Sequence, residues 1–309
     1  MKVSLIIPTL NRHEVLVETL FYALKQGYKN FEIIVVDQNS YLPQSVLTTL
    51  TELAGSKKIK WIRADGWANL PAARNTGIKY STGEIIIFID DDVFLENDFI
   101  QRYVDAYNSN PSVHSIVGRV LGVAEGMKPR NLSEGIDLGK KYSQTHSELT
   151  FGGRGCNMSF HKKVFSDYNC WFDERFVGNA MHEESMLFHC MKKKKLKVFF
   201  SHECTLIHLA DKVGGCRIEQ KNSVKDLVSQ HTNFLTNVFL YRYSSGFFLG
   251  SLLSIKAIYG YFSKRVILQK IKNEKLSAVI HLLLAPFVLA KMPFIFNSEK
   301  IIPRLVKNK

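Results

Sequence analysis

Apolar, β-branched runs alternate with amphipathic stretches along the first ninety residues. Residues 2–8 (Lys2-Val3-Ser4-Leu5-Ile6-Ile7-Pro8) predict a strand close to the N-terminus. Asn11-Arg12-His13-Glu14 then reads as a capping box, with Asn11 at the N-cap and Glu14 three positions on. Leu16, Leu20 and Leu24 continue it as a helical apolar stripe. Residues 31–36 predict a second strand ending on Asp37, and residues 58–62 a third. A helix is expected over residues 71–80, with Gly83 breaking the chain before the apolar run Glu84-Ile85-Ile86-Ile87-Phe88-Ile89. This alternation predicts an α/β fold: a Rossmann-like, mostly parallel sheet covered by helices on both faces. In such sheets ligands gather at the carboxyl ends of the strands. Pro8-Thr9, Asp37 and the triplet Asp90-Asp91-Asp92 all fall at such ends.

The triplet changes the picture most. Three carboxylates at the end of a buried strand repel one another and are costly to desolvate. A divalent cation removes that conflict, since Mg²⁺ and Mn²⁺ prefer oxygen ligands and usually arrive with a phosphate. The plain alternative is an acidic turn with Asp92 near a helix start.

Several short motifs occur in order. They are Ser4-Leu5-Ile6-Ile7-Pro8-Thr9, Glu32-Ile33-Ile34-Val35-Val36-Asp37, Leu70-Pro71-Ala72-Ala73-Arg74-Asn75-Thr76-Gly77 and Phe88-Ile89-Asp90-Asp91-Asp92-Val93. Gly155-Cys156-Asn157-Met158-Ser159-Phe160, Phe172-Asp173-Glu174-Arg175-Phe176 and His182-Glu183-Glu184 follow. Each is weak alone; together, over the first two-thirds of the chain, they resemble an inverting family-two glycosyltransferase with a GT-A-type fold. The resemblance implies a nucleotide-sugar donor, a divalent cation (Mn²⁺ or Mg²⁺) and a glycan or lipid-linked glycan acceptor, as in cell-envelope polysaccharide synthesis.

Such a reaction needs a grip on the nucleoside, neutralisation of the diphosphate and removal of the acceptor proton. For the nucleoside, Asp37 can accept from a base N–H or a ribose hydroxyl. The resemblance places Pro8 and Thr9 beside it and Arg74 near the base or diphosphate. Gln38 stands where uridine-using relatives often carry a second acid; its amide can still pair with a pyrimidine edge. Asp37 also suits a helix N-cap, and Arg74 a surface position near a helix start.

By the same resemblance Asp92 is the direct metal ligand. Asp90 or Asp91 then holds the ribose or a metal-bound water, and His208 approaches the metal. For the acceptor, Glu183-Glu184 opens an apolar-periodic helix, Met186-Leu187-Cys190-Met191. A helix N-terminus favours ionised carboxylates, and adjacent acids push their pKa values apart. Glu184 is the carried-over base, and the bland alternative is a helix-starting acid pair. Gly152-Gly153-Arg154-Gly155-Cys156-Asn157 resembles the segment facing the sugars, with Asn157 on a sugar hydroxyl. Asp173 is expected to brace the base-bearing loop. The charge run Lys192-Lys193-Lys194-Lys195 is expected as a solvated helix end without chemistry. Pocket shape, set by loops such as residues 124–150, decides which sugar and acceptor are used.

Charge divides the chain. The formal net charge is +13 over 309 residues. From residue 217 onward there are 15 Lys/Arg and 4 Asp/Glu, so +11 of that charge sits in residues 217–309. Residues 1–216 are expected as the catalytic domain and residues 217–309 as a helical appendage. The appendage mixes its charge with Phe247-Phe248-Leu249 and Leu282-Leu283-Leu284-Ala285-Pro286-Phe287-Val288-Leu289, a pattern favouring a membrane surface over nucleic acid. Residues 277–296 are long enough to span a bilayer, but His281, Pro286, Lys291 and Pro293 argue for a broken or interfacial helix. The five cysteines are scattered without a C-x-x-C pair. They read as reduced thiols, and with no leader-like segment at the start they place the protein in the cytoplasm, peripheral on the cytoplasmic face of the membrane.

Two other functions remain open at this level. A sugar nucleotidyltransferase needs a Gly-rich, basic loop after the first strand, and Pro8-Thr9-Leu10-Asn11 is not one. A non-catalytic nucleotide-sugar-binding or membrane-recruiting module needs no joint presence of Asp92 and Glu184.

Overall fold

The computed structural model describes residues 1–215, apart from residues 65–67, 125, 139–144, 175, 177–179, 181–182 and 211–213. Strands β1 (Val3–Thr9), β2 (Phe31–Asp37), β3 (Lys60–Arg63) and β4 (Ile85–Ile89) pair in parallel in the order β3-β2-β1-β4. The sheet continues through β8 (Asn157–His161), β6 (Ser115–Leu121), β9 (Val198–His208) and the two-residue β5 (Val93–Phe94), with β7 (Glu148–Thr150) pairing beside β9. β8 runs antiparallel to both β4 and β6, while β6 and β9 are parallel. Six of the nine strands therefore point the same way, as the alternating pattern predicts.

Successive side chains of a strand point to opposite faces. Leu5, Ile7, Ile33 and Val35 pack on one face against helices α1 (His13–Leu24), α2 (Gln44–Gly55) and α4 (Phe99–Ser109). Ile6, Ile34, Val36 and Phe88 pack on the other against α3 (Leu70–Tyr80), the short α5 (Lys163–Ser166) and α6 (Glu183–Lys193). Both faces are buried, which is why the central strands read as continuous apolar runs rather than alternating ones. α3 starts one residue before the expected helix. Asn69 caps it by accepting from the Ala72 N–H at 2.8 Å. Lys192 and Lys193 close the last turn of α6, as the charge run implied.

Two expectations are corrected. Asn11 does not cap α1. It sits at φ 55° in the left-handed region, its N–H bonds Asn39 Oδ1, and Arg12 takes the N-cap position without a side-chain cap bond. The cysteines are not all reduced either. Cys170, in the turn after α5, and Cys190, on α6, form a disulfide with Cα atoms 5.8 Å apart. Twenty residues separate them in sequence, and tertiary packing brings them together. Cys156 and Cys204 are free and buried. The thiol argument for a reducing compartment therefore falls away.

Residues 216–309 lie outside the described residues, and with them the helical appendage, residues 277–296 and Cys216. Among the described residues no helix is long and apolar enough to cross a membrane.

Candidate active site

The site is built where β4 ends. All five residues of β4 are buried, so the chain delivers Asp90, Asp91 and Asp92 at the edge of the core. Asp90 keeps about a third of its side chain exposed, whereas Asp91 and Asp92 are buried. The expected electrostatic conflict is real, and the fold answers it with a cation of its own. Arg12, itself buried, places Nη1 2.9 Å from Asp91 Oδ1 and 2.9 Å from Asp92 Oδ1. Thr9 Oγ1 donates to the other Asp91 oxygen at 2.7 Å, and the Thr19 hydroxyl donates to the Asp91 carbonyl at 2.8 Å. Burial, with the charge of Asp92 adding and Arg12 opposing, pushes the Asp91 carboxyl up to about 7. Gly215, at φ +66°, covers the guanidinium so closely that a Cβ there would lie 2.9 Å from Arg12 Cζ.

Sequence reasoning missed Arg12, because the capping-box pattern gave a sufficient local account of those residues. The signal was an arginine three residues after one parallel strand, in a chain with three acids after the neighbouring strand. Replacing Arg12 by Met keeps the volume and removes the positive charge that lies against both Asp91 and Asp92. That change is expected to cost about 3–5 kcal/mol. Denaturant unfolding checks it, and added Mn²⁺ should recover part of the loss. A variant as stable as the parent contradicts this role.

Asp90 faces the open side. Its Oδ2 lies 3.5 Å from His208 Nε2, which is also 3.4 Å from Asp92 Oδ1. β9 delivers His208 as its last residue. The Ala210 N–H donates to His208 Nδ1 at 3.0 Å, so the proton of a neutral ring sits on Nε2, toward the acids. Burial works against the charged ring, but the Asp90 bond and the charges of Asp92 and Asp90 outweigh it and raise its pKa. Burial likewise disfavours ionised Asp90; His208 and Arg74 outweigh it and lower its pKa. Ligand atoms of Asp90, Cys156 and His208 lie within 4.8 Å of one another. Burial raises the Cys156 thiol well above its ordinary range, so it stays protonated and is no partner for a hard cation. The two carboxylates converging from Asp90 and Asp92 are the donors that suit Mg²⁺ or Mn²⁺.

Arg74 is not the surface arginine that its helix-start position allowed. It is 2% exposed and forms an ion pair with Glu183, itself 1% exposed. Its Nη2 donates to the Gly155 carbonyl at 3.1 Å and lies 3.6 Å from Asp90 Oδ1. The rings of Phe172 and Phe88 flank the guanidinium at 5.4 and 6.0 Å. A Cβ on Gly155 would come within 2.8 Å of Arg74 Nη2, so a larger residue there would displace the guanidinium. The acid pair therefore divides its labour. Glu183 is locked to Arg74, while Glu184 is half-buried. Burial raises the Glu184 pKa against the pull of Arg74, with Asp90 adding to the rise.

The nucleoside-side residues sit side by side, with Thr9 and Asp37 in register on β1 and β2. Asp37 is no N-cap, since α2 starts at Gln44. Its Oδ1 accepts from the Asn39 backbone and side-chain amides at 2.9 and 2.6 Å. Its Oδ2 accepts from Trp61 Nε1 at 3.0 Å, with Arg63 Nη1 at 3.4 Å. Contact with a base or ribose at Asp37 must exchange one of these donors. Gln38 Nε2 donates to the Asn69 carbonyl at 3.0 Å, and Pro8 is buried in β1.

Asn157 does not face a sugar. It is fully buried, accepts from the Tyr103 hydroxyl at 2.8 Å and donates to the Arg119 and Cys204 carbonyls, each at 2.8 Å. Its amide is spent on tying β8 to α4, β6 and β9. Asp173 is buried, and its backbone carbonyl accepts from the Phe176 N–H.

The family model of glycosyl transferase family 2 matches residues 4–168, which contain the acid triplet, Arg12 and Arg74. The chain belongs to glycosyl transferase family 2. A glucosyl-dolichyl phosphate glucuronosyltransferase of Haloferax volcanii is 28% identical over 53% of this chain and 54% of its own length. A GalNAc(5)-diNAcBac-PP-undecaprenol beta-1,3-glucosyltransferase of Campylobacter jejuni is 26% identical over 67% of this chain and 64% of its own. The chain thus spans about half to two-thirds of the length of these relatives. Among solved structures, S. aureus TarS residues 1–349 in complex with UDP-GlcNAc superposes with a TM-score of 0.59, at 14% identity, over 89% of this chain and 76% of that one. At that identity the likeness shows the fold, and it agrees with the GT-A-type arrangement expected for this family 2 member.

Proposed function

We propose that this family 2 member transfers a sugar, with inversion, from a nucleotide-sugar donor to a glycan or lipid-linked glycan acceptor in cell-envelope polysaccharide synthesis. The convergence of Asp90, Asp92, Arg74 and Glu184 carries the reading: two metal-suited carboxylates, a buried guanidinium and a raised-pKa acid in one place. Thr9, Asp37 and Gln38 line the nucleoside side at neighbouring strand ends. Asp90 and Asp92 would hold a divalent cation, which would supply charge neutralisation of the diphosphate leaving group. Arg74, held between Glu183 and Asp90, fixes the geometry between the acids and the helix that bears the base. Glu184 accepts the proton of the acceptor hydroxyl. A base on the acceptor side and a diphosphate leaving on the other give a single displacement, which inverts the anomeric carbon.

The TarS complex with UDP-GlcNAc supports a nucleotide-sugar donor. The dolichyl phosphate and undecaprenol named for the two relatives support a lipid-linked acceptor. Residues 217–309, with a net charge of +11, are the segment proposed to hold the enzyme on an anionic membrane surface. The test is nucleoside diphosphate release from UDP-, GDP- and dTDP-sugars in the presence of Mn²⁺, with the anomeric configuration of the product read by NMR. One nucleotide class should be consumed, with inversion, and EDTA should stop it. Release from none of them, or a retained configuration, contradicts the reading.

A further inference from the structure

A second concave site lies away from the acids. β7, the last turn of α6 and the first residue of β9 enclose a cleft of about 250 Å³. Its walls are apolar, formed by Leu149, Phe151, Phe188 and Leu196, and Lys192, Lys195 and Lys197 stand at its rim. Leu149, in β7, is 64% exposed, and Phe151, just after it, 75%. Large apolar side chains that exposed and adjacent to one another mark an interaction surface. Lys192 Nζ lies 5.3 Å from the Phe151 ring centroid, so the charged rim and the aromatic wall form one patch.

We propose that this cleft is a docking site for an anionic phospholipid of a bilayer, with the acyl region on Leu149 and Phe151 and the phosphate among the three lysines. Charge complementarity selects the occupant. A second copy of the same patch would bring like charges together and is disfavoured. An apolar floor with a basic rim matches a surface that presents hydrocarbon beneath phosphate. The docking also has a geometric consequence. Glu184 lies in the first turn of α6 and Lys192 in the last, so the helix, about 16 Å long, sets the distance between the lipid surface and the proposed base. In this sense the inference rests on the reading of a lipid-linked acceptor.

The experiment is flotation of the full chain with vesicles of phosphatidylcholine and phosphatidylglycerol, against phosphatidylcholine alone. Phe151→Asp, and separately the triple change Lys192→Glu, Lys195→Glu and Lys197→Glu, are compared with the parent. Thermal unfolding confirms that each variant folds, and Phe151→Ser replaces the first if it does not. The parent should float with the anionic vesicles. The triple variant should lose about 100-fold in partitioning, at about fivefold per lysine removed, and Phe151→Asp about tenfold. Folded variants that float like the parent overturn the proposal and leave the glycosyl-transfer reading intact. Loss of vesicle binding together with an enzyme inert toward every nucleotide sugar keeps the docking site and removes the proposed function instead.

Discussion

Replacing Asp92 by Asn is expected to lower sugar transfer by about 10²-fold or more. Asn keeps the shape of the side chain and removes its charge. In the structure that charge is completely buried and lies within 2.9 Å of Arg12 and 3.4 Å of His208. A carboxylate buried between an arginine and a histidine in such a place has a function beyond packing. Losing one of two oxygen donors to the cation removes several kcal/mol of leaving-group stabilisation, and each 1.36 kcal/mol is tenfold in rate. The variant should need more Mn²⁺ for half-maximal activity, and its far-UV spectrum should match the parent. Wild-type turnover in Asp92→Asn, with a parent indifferent to EDTA, removes the metal-dependent mechanism.

Replacing Glu184 by Gln is expected to reduce transfer by about 10²–10⁴-fold while donor binding, read by calorimetry, stays within a few-fold of the parent. The acceptor-side base does not touch the donor, so kcat carries the loss. Its pKa is raised above the ordinary carboxylate value, chiefly by burial. The base must be ionised to accept a proton, so transfer should fall as pH drops through that raised pKa. Glu184→Gln should flatten this acidic limb. Glu183→Gln should behave differently, because Glu183 is buried in an ion pair with Arg74. Breaking that pair leaves Arg74 uncompensated, so the loss should appear in stability and donor affinity. Abolished donor binding in Glu184→Gln contradicts the assignment of the base.

The chain displays its scaffold openly and its side-chain pairings poorly. The central strands are legible because burial on both faces demands unbroken apolar runs, and a parallel sheet then places Thr9, Asp37 and Asp90 at one edge. Glu183-Glu184 is legible because its apolar periodicity fixes where the helix starts. Arg12 is not, because its partners lie 79 and 80 residues away and a local capping pattern explains it equally well. Asn157 misled for the converse reason. Its motif points to a sugar, but only the packing of Tyr103, Arg119 and Cys204 reveals that its amide is already satisfied. The Cys170–Cys190 bridge has no spacing signature at all. Asp37 was found at its strand end, yet the donors that occupy it, Asn39, Trp61 and Arg63, come from the following loop and β3.

The most direct measurement of the central claim is thermal unfolding against a panel of UDP-, GDP- and dTDP-sugars, with and without Mn²⁺, on the parent and on Asp92→Asn. A ligand at a hundred times its dissociation constant stabilises the folded state by about 2.7 kcal/mol, enough to move the midpoint visibly. One nucleotide class should raise the parent's midpoint, only with Mn²⁺ present, and the rise should vanish in Asp92→Asn. No shift with any nucleotide sugar, or a shift indifferent to both Mn²⁺ and Asp92, contradicts a metal-assisted nucleotide-sugar site at the end of β4.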